Sequence, residues 1–357
     1  MKHLFYLLFC FLFWEANAQS IAKRIILIGD AGEINTKQSS VIHKAAELII
    51  KDSTLMFFLG DNIYPSGMGL EGIEKEKGIN SLNAQFEPFR KENVPVYFLA
   101  GNHDWNVSRP GGLAKLIAQG DYLKSQNDQY LKLIPSAGQP GPVSIPVNDA
   151  LVIIAYDSEY WLYPYHSSDI DLQNQRTLFV AQLKQLFENN KDKTVLVLSH
   201  HPMITYGEHS LAFDWRQHIF PLRKLNSKLY IPLPVVGSLY PLARSTFYSS
   251  AEDYPSKKYQ ELVHDISEAR GNQPNVIYAA GHDHGLQFIS KDDLVQIVSG
   301  SGSKTSFIVN NKNLKFKYQK QGFCVFDYLD NGNILLAYYT FDGLNTVKAY
   351  ETLIEKK

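Results

Sequence analysis

Cysteine is almost missing from this sequence. The chain has two cysteines, Cys10 and Cys324, and Cys10 lies in an N-terminal stretch that we expect to be removed. The single thiol that remains excludes an intramolecular disulfide and a thiolate metal site. Any metal ion held by this chain must therefore be bound by nitrogen and oxygen donors.

The chain also lacks an excess of charge of either sign. It has 35 Lys and Arg against 36 Asp and Glu, for a formal net charge of −1, so its bulk charge predicts neither a nucleic-acid partner nor an anionic membrane surface. Beyond the N terminus we find no apolar run long enough to predict a transmembrane span. Apolar residues make up 45% of the chain, which is typical of a globular protein with a sizeable core.

The first residues have the layout of a secretory signal. Lys2 gives a positive start, the run from Leu4 to Trp14 is apolar, and Ala16-Asn17-Ala18 is typical of a cleavage site. The apolar run is shorter than the roughly 20 residues that cross a bilayer. We therefore predict a cleaved signal peptide at 1–18 and a secreted or periplasmic protein whose residues 19–357 form a single domain. The alternative is an uncleaved anchor.

Short apolar runs alternate with helical patterns along the chain. The predicted strands are Arg24–Gly29, Leu55–Leu59, Val94–Ala100, Ala150–Tyr156, Thr194–Ser199 and Asn275–Ala280, followed by hairpins to the C terminus. The predicted helices are Gln38–Lys51, Asn83–Lys91 and Leu172–Asn189. Strands joined through helices indicate βαβ units around a buried sheet.

Polar clusters stand at the ends of five of these predicted strands. They are Gly29-Asp30-Ala31-Gly32, Gly60-Asp61-Asn62-Ile63-Tyr64, Gly101-Asn102-His103-Asp104, Ser199-His200-His201-Pro202 and Gly281-His282-Asp283-His284-Gly285. Sites of α/β proteins form outside the carboxyl ends of the strands, so we expect the clusters to converge. Carboxylate, amide and imidazole donors suit iron, zinc or manganese. Two such ions about 3.5–4 Å apart, sharing a carboxylate, are a recurring hydrolytic site.

Each cluster taken alone also has a purely structural interpretation. Gly-Asp after a strand is a common turn, Asn102-His103 is compatible with a helix cap, and an isolated histidine is more often hydrogen-bonded than metal-bound. The occurrence of all five in order, each after a strand, favours a common metal site.

The five clusters resemble those of the calcineurin-like metallophosphoesterases, and more closely those of the purple acid phosphatases, including the tartrate-resistant enzymes. The resemblance covers residues 24–300. Most of the superfamily has Asp-x-His in the first cluster, whereas Gly32 stands at that histidine position here. Purple acid phosphatases are similar in lacking this histidine and in having a tyrosine three positions after the second-cluster aspartate, which Tyr64 matches. The resemblance implies a four-layer α/β/β/α sandwich of two mixed β-sheets.

The same resemblance implies two metal ions, Fe(III) and a divalent ion that is zinc, iron or manganese. The implied ligands of the ferric ion are Asp30, Asp61, Tyr64 and His284. Those of the divalent ion are the bridging Asp61 with Asn102, His200 and His282.

Three further residues are expected to take part in catalysis. The resemblance implies that His103 contacts the substrate phosphate, and Asp104 is placed to orient its ring. His209 matches a histidine of the tartrate-resistant branch that would protonate the leaving group or position the phosphate, although a histidine after Glu208 is also typical of an exposed loop. His201 stays a candidate for a supporting position beside the ligands.

The expected activity is that of an exported phosphomonoesterase of the acid phosphatase type, in which metal-activated water attacks a small phosphorylated substrate. The alternatives are a phosphodiesterase or nucleotide hydrolase of the same superfamily and, from another class, a non-catalytic binding module. Residues 225–259 are rich in Pro, Tyr and Ser and are predicted to be an inserted loop. This insert has three open interpretations, which are a lid over the cleft, a surface packing loop and a docking face for another protein.

Overall fold

The computed structural model describes residues 20–166, 169–211, 219–220, 222, 230–233 and 250–357. The predicted signal peptide, residues 1–18, lies outside the described residues. Residues 225–229 and 234–249 of the predicted insert also lie outside them.

The described residues form fourteen strands and six α-helices. The strands are β1 (Ile21–Ile28), β2 (Thr54–Phe58), β3 (Val96–Phe98), β4 (Leu131–Leu133), β5 (Val143–Pro146), β6 (Leu151–Ala155), β7 (Thr194–Leu198), β8 (Val276–Ala280), β9 (Leu286–Lys291), β10 (Leu294–Ser299), β11 (Leu314–Tyr318), β12 (Gly322–Leu329), β13 (Ile334–Phe341) and β14 (Thr346–Ile354). The helices are α1 (Thr36–Glu47), α2 (Gly72–Arg90), α3 (Gly112–Ser125), α4 (Ser158–Leu162), α5 (Asp169–Asn189) and α6 (Lys257–Arg270).

The strands form two seven-stranded sheets. The first has the order β14-β13-β12-β1-β2-β3-β4, and the second has the order β11-β9-β10-β8-β7-β6-β5. In the first sheet β1 to β4 are parallel and β12 pairs with β1 antiparallel. In the second, β6, β7, β8 and β10 are parallel, and β5 and β9 are antiparallel to their neighbours. Both sheets are therefore mixed, as predicted.

Side chains of β1 alternate between two cores, because successive residues of a strand face opposite sides of a sheet. Ile25 and Leu27 pack in one cluster with Leu196 and Leu198 of β7, which places the two sheets face to face. Ile26 and Ile28 belong to a separate cluster on the other face, together with buried residues of α1 and α2.

The second sheet also has a helical layer on its outer face. Val195 and Val197 of β7 pack with Leu183 of α5 and Ile266 of α6. Helices thus cover the outer faces of two packed sheets, which confirms the predicted four-layer α/β/β/α architecture.

Several helices differ from the sequence prediction. Helix α2 begins at Gly72, well before the predicted start at Asn83, and it contains Pro88. Its Gly78 packs so closely on Met68 that an added Cβ would lie 2.7 Å from the Met68 sulfur, so this glycine serves helix packing. Helix α3 was not predicted. Helix α6, which was also not predicted, begins at Lys257, so residues 257–259 of the predicted insert form its first turn. Among the described helices, none combines the length and the hydropathy needed to cross a bilayer.

Candidate metal centre

The five polar clusters come together at one edge of the sandwich. Asp30, Asp61 and Asn102 follow β1, β2 and β3 of the first sheet, whereas His200 and His282 follow β7 and β8 of the second. All five strands are parallel members of their sheets, so their carboxyl ends lie at the same edge. The site is therefore built between the sheets, from both of them.

Several of these side chains stand on backbone that non-glycine residues rarely adopt. Asp30, Asp61 and His282 have φ angles of 58°, 55° and 68°, in the left-handed region. This region costs an L-residue roughly 1–2 kcal/mol, and such outliers concentrate at functional sites. Here the sharp turn after each strand directs the side chain back across the strand ends.

Glycines leave space for the side chains that are packed closely at the site. A Cβ on Gly101 would lie 2.4 Å from both the backbone nitrogen and Oδ1 of Asp61, and one on Gly60 would lie 2.5 Å from the Nδ1 atom of His200. These distances are far inside van der Waals contact. Gly60 and Gly101, each at the start of a polar cluster, therefore leave room for the side chain of a neighbouring cluster.

One donor group surrounds the phenol oxygen of Tyr64. This oxygen lies 3.2 Å from Asp30 Oδ1, 3.0 Å from Asp61 Oδ2 and 3.1 Å from His284 Nε2. His284 Nε2 also lies 3.4 Å from Asp30 Oδ1. Donor atoms bound about 2.1 Å from one cation lie roughly 3.0–3.4 Å apart, so this group fits a single metal ion.

The protonation of Tyr64 depends on what lies beside it. Burial and the negative charges of Asp61 and Asp30 raise the pKa of the Tyr64 phenol well above its usual value. Its single proton cannot satisfy two carboxylates and an imidazole together. A cation between these atoms would satisfy all of them and would favour the phenolate.

A second donor group lies on the other side of Asp61. His200 Nε2 is 3.4 Å from Asp61 Oδ1 and 3.1 Å from Asn102 Oδ1. His282 Nδ1 is 3.3 Å from the same amide oxygen. These separations again match the edges of one coordination sphere.

The tautomers of His200 and His282 are fixed by hydrogen bonds from the ring nitrogen that faces away from Asn102. His200 Nδ1 donates to the Leu59 carbonyl over 2.7 Å, and His282 Nε2 donates to the Glu252 carbonyl over 3.0 Å. In the neutral rings the remaining nitrogens face Asn102 Oδ1 with lone pairs. Lone pairs turned toward one another at this distance repel unless a cation lies between them.

The electrostatics of this group also favour a cation. Burial, with the charges of neighbouring histidines, lowers the pKa of His282 well below its usual value, so the ring stays neutral. Burial opposes protonation of His200, but Asp61 and Asp30 raise its pKa overall. Burial likewise opposes ionisation of Asp61, yet His103 and His200 lower its pKa overall. Positive charge is therefore favoured beside Asp61.

His103 stands over the site, but Asp104 does not orient its ring. His103 Nε2 lies 3.7 Å from Asp61 Oδ2, and its Nδ1 donates to the Pro65 carbonyl over 2.5 Å. The Asp104 carboxylate instead accepts from the Asn62 and Gly101 backbone nitrogens. The expectation for Asp104 was wrong in this respect, because its buried side chain turns inward to hold the loops after β2 and β3.

His209 also reaches the site. Its ring packs against the ring of His282, with centroids 3.9 Å apart, and its Nδ1 lies 3.2 Å from Asp253 Oδ1. His201 stands behind the site, where Ser158 Oγ lies 2.9 Å from its Nδ1. His201 is buried, and one of its ring nitrogens lies within 4.8 Å of ring nitrogens of His200 and His282, whereas the His209 side chain is 22% exposed.

The sequence also matches a family profile. Residues 23–231, more than half of the chain, match the profile described as calcineurin-like phosphoesterase. This match covers four of the five polar clusters. The chain belongs to the calcineurin-like phosphoesterase family. It is accordingly a phosphoesterase, a hydrolase of phosphoric ester bonds.

Two acid phosphatases are similar to this phosphoesterase, one in sequence and one in fold. It is 24% identical to the tartrate-resistant acid phosphatase type 5 of Oryctolagus cuniculus over 298 residues, 78% of this chain and 73% of that protein. Its fold is similar to that of the purple acid phosphatase PPD1 of Lupinus luteus, with 14% identity and a TM-score of 0.52 over 93% of this chain and 54% of that one.

A second similar structure belongs to a protein with another role. GAP50, described as the anchor in the inner membrane complex of Plasmodium, superposes on this phosphoesterase with a TM-score of 0.55 and 17% identity. The superposition covers 95% of this chain and 90% of GAP50. At this identity the similarity shows a shared fold.

Two acidic residues of the phosphoesterase site were not among the residues predicted from the sequence. Glu252 Oε2 accepts from Asn102 Nδ2 over 3.0 Å, and Asp253 holds His209. Both belong to the predicted insert, whose described end, residues 250–256, reaches the site. The adjacent acidic pair was visible, but it follows no strand and has no spacing that ties it to Asn102.

Proposed function

We propose that this phosphoesterase is an exported enzyme that hydrolyses phosphate monoesters with two metal ions. The observation that carries the proposal is the position of Asp61. Its Oδ2 faces the donor group around Tyr64, and its Oδ1 faces the donor group of His200 and Asn102. A carboxylate whose two oxygens face separate donor groups is what a bridged pair of ions requires.

The donor types support specific metals. Two carboxylates and a phenolate favour a hard ion, so we assign Fe(III) to the group of Asp30, Asp61, Tyr64 and His284. Two imidazoles with an amide oxygen suit a divalent zinc, iron or manganese ion. When bound, the two ions would supply the charge that binds phosphate oxygens and acidifies water.

The residues around the ions then have separate tasks. His103, with Nδ1 fixed on Pro65, presents Nε2 to the phosphate and stabilises charge that develops on it. His209, with Nδ1 held by Asp253, presents its other nitrogen and protonates the leaving oxygen. His200 and His282 keep their lone pairs directed at the metal position through their bonds to backbone carbonyls.

A monoester is the preferred substrate because the rabbit relative is an acid phosphatase. A phosphodiesterase or nucleotide hydrolase is the alternative within the family. GAP50 raises the alternative of a non-catalytic module on this fold. Against it, every donor of both groups is present in this chain and directed inward.

Metal analysis and paired substrates test the proposal. Purified protein should contain two metal ions per chain and should hydrolyse p-nitrophenyl phosphate at least tenfold faster than bis(p-nitrophenyl) phosphate. A preference for the diester would establish the alternative activity. Wild-type turnover in protein stripped of metal by a chelator would refute the metal mechanism altogether.

Export is proposed from the N-terminal sequence alone. We expect the protein to leave the cytoplasm and to begin after Ala18, because a small residue stands at each of positions 16 and 18. N-terminal sequencing of the protein from periplasmic and culture fractions checks this. An intact Met1 on that protein would support the anchor instead.

A further inference from the structure

Glu252 contacts two of the proposed ligands of the divalent ion through different atoms. Its carboxylate Oε2 accepts from Asn102 Nδ2 over 3.0 Å, and its backbone carbonyl accepts from His282 Nε2 over 3.0 Å. Only 6% of the residue is exposed. It precedes α6, in a part of the chain that the family profile does not cover.

The contact with Asn102 decides which end of the amide faces the metal position. A carboxylate accepts hydrogen bonds and donates none when ionised, so it holds the NH₂ group of Asn102 on its own side. Oδ1 is then directed at His200 Nε2 and His282 Nδ1, 3.1 and 3.3 Å away. A reversed amide would place N–H groups where a cation must bind.

The contact with His282 decides the tautomer of that ring. A carbonyl can only accept, so Nε2 carries the proton and Nδ1 presents its lone pair to the metal position. Glu252 therefore prepares an oxygen ligand with its side chain and a nitrogen ligand with its backbone.

Glu252 is itself held in place by a strained segment. The Ser108 hydroxyl hydrogen-bonds to both Glu252 Oε1 and Glu159 Oε1. Asn106, Val107 and Ser108 have successive φ angles of 62°, 55° and 51°. Left-handed backbone is especially unfavourable for a β-branched residue such as Val107. The fold maintains this strained turn next to Asn102, and through it the turn fixes the Glu252 carboxylate.

We propose that Glu252 is a positioning residue for the divalent ion and sets the affinity of the site through the orientation of Asn102. This inference rests on the second ion of the proposed function. It makes the segment that directly precedes α6, residues 250–256, part of the metal centre. Hydrogen-bond partners of metal ligands commonly change metal affinity by about 10–100-fold.

Three variants test the role of the side chain. Glu252→Ala removes the acceptor, Glu252→Gln keeps an acceptor oxygen while removing the charge, and Asp253→Asn alters the neighbouring acidic residue, which bonds to His209 instead. The measurement is zinc affinity by equilibrium dialysis and metal analysis, on protein whose iron content is determined in the same sample. Thermal unfolding of each metal-stripped variant shows whether the fold is retained.

We expect Glu252→Ala to weaken zinc binding about 10–100-fold with iron content unchanged, and Glu252→Gln to recover most of the loss. Asp253→Asn should bind zinc as the wild type does. Wild-type affinity in Glu252→Ala, an equal loss in Asp253→Asn, or no recovery in Glu252→Gln would each overturn the proposal. If Glu252→Ala does not fold, Glu252→Met takes its place, because it keeps a side chain of similar length without a strong hydrogen-bond acceptor for Asn102 Nδ2, and it should weaken zinc binding to the same extent. A wild-type protein that binds a single ion would refute the two-ion function instead, before any variant is compared.

Discussion

Tyr64 and Asp61 share one oxygen contact of 3.0 Å, from the phenol to Oδ2, while the other oxygen of Asp61 lies 3.4 Å from His200 Nε2 on the opposite sheet. The first contact is local in sequence and the second spans the two sheets. Asp61 is thus the point at which a short-range motif from one sheet meets ligands from the other.

Tyr64 should give the loaded protein its colour. We expect iron-loaded wild type to absorb visible light through phenolate-to-Fe(III) charge transfer, and Tyr64→Phe to lose that band because the only phenol of the group is removed. Visible spectra at matched iron content measure the effect. Tyr130→Phe, at a tyrosine that is 43% exposed, is the control and should keep the band. An unchanged spectrum in Tyr64→Phe would remove Tyr64 from the site.

Asn102→Ala should empty the divalent position. The change removes the oxygen that faces both His200 Nε2 and His282 Nδ1, so we expect zinc content to fall and turnover of p-nitrophenyl phosphate to drop by at least about 100-fold. Iron content should stay near that of the wild type. A fully active Asn102→Ala protein would contradict the assignment of this residue.

His209→Ala should affect poor leaving groups most. If His209 protonates the leaving oxygen, its loss matters little for p-nitrophenol and much more for an alkyl alcohol. We expect kcat to fall on the order of 100-fold for an alkyl phosphate and much less for p-nitrophenyl phosphate. A loss of the same size for both substrates would indicate a role in phosphate binding instead.

Gly101 should not tolerate a methyl group. The Cβ of Gly101→Ala would lie 2.4 Å from Asp61 Oδ1, so we expect displacement of Asp61, loss of metal and destabilisation of about 1–3 kcal/mol. Gly120→Ala on α3 is the matched control, since its nearest neighbours would lie 3.3 and 3.4 Å away. Urea unfolding and metal content of both variants provide the measurement, and equal behaviour of the two would refute the steric argument.

Asp157 should make stability depend on pH. Burial raises the pKa of this carboxyl from 3.8 to about 6, although hydrogen bonds from Tyr160 and Trp105 act to lower it. The folded state then binds more protons than the unfolded state between these values, so this residue's contribution to stability falls by about 3 kcal/mol as pH rises through that window. Asp157→Asn does not titrate. The difference in unfolding free energy between wild type and Asp157→Asn should therefore decrease from pH 4 to pH 7. A constant difference would show an ordinary pKa for Asp157.

Much of the site was predictable because each donor follows a strand within a few residues. A buried parallel strand is recognisable from its apolar run, and the carboxyl ends of such strands meet by topology. Asp30, Asp61 and His282 could thus be assigned to one edge without knowledge of the strand order. The layered fold followed from the family resemblance and was confirmed.

The residues that support the donors were harder to predict. Asp104 follows His103 directly, which suggested a bond between them, but the backbone turns its carboxylate toward Asn62. Glu252 lies 150 residues from Asn102, and no local period brings them together. Such contacts depend on the path of whole loops, which residue patterns do not encode. The length of helix α2 was underestimated because Gly78, a weak helix former that tertiary packing accommodates, lies in the part that was not predicted.

The proposed ligands are divided between the two sheets, and this division has a consequence for the life of the protein. Two bound metal ions would link the two sheets at the edge where the ligands meet. Because the ions bind the folded chain, they would stabilise it by mass action as metal concentration rises. The supply of iron and zinc where the chain folds would then determine its resistance to proteases as well as its turnover. Starvation for metal would reduce the amount of protein that survives, in addition to leaving it inactive.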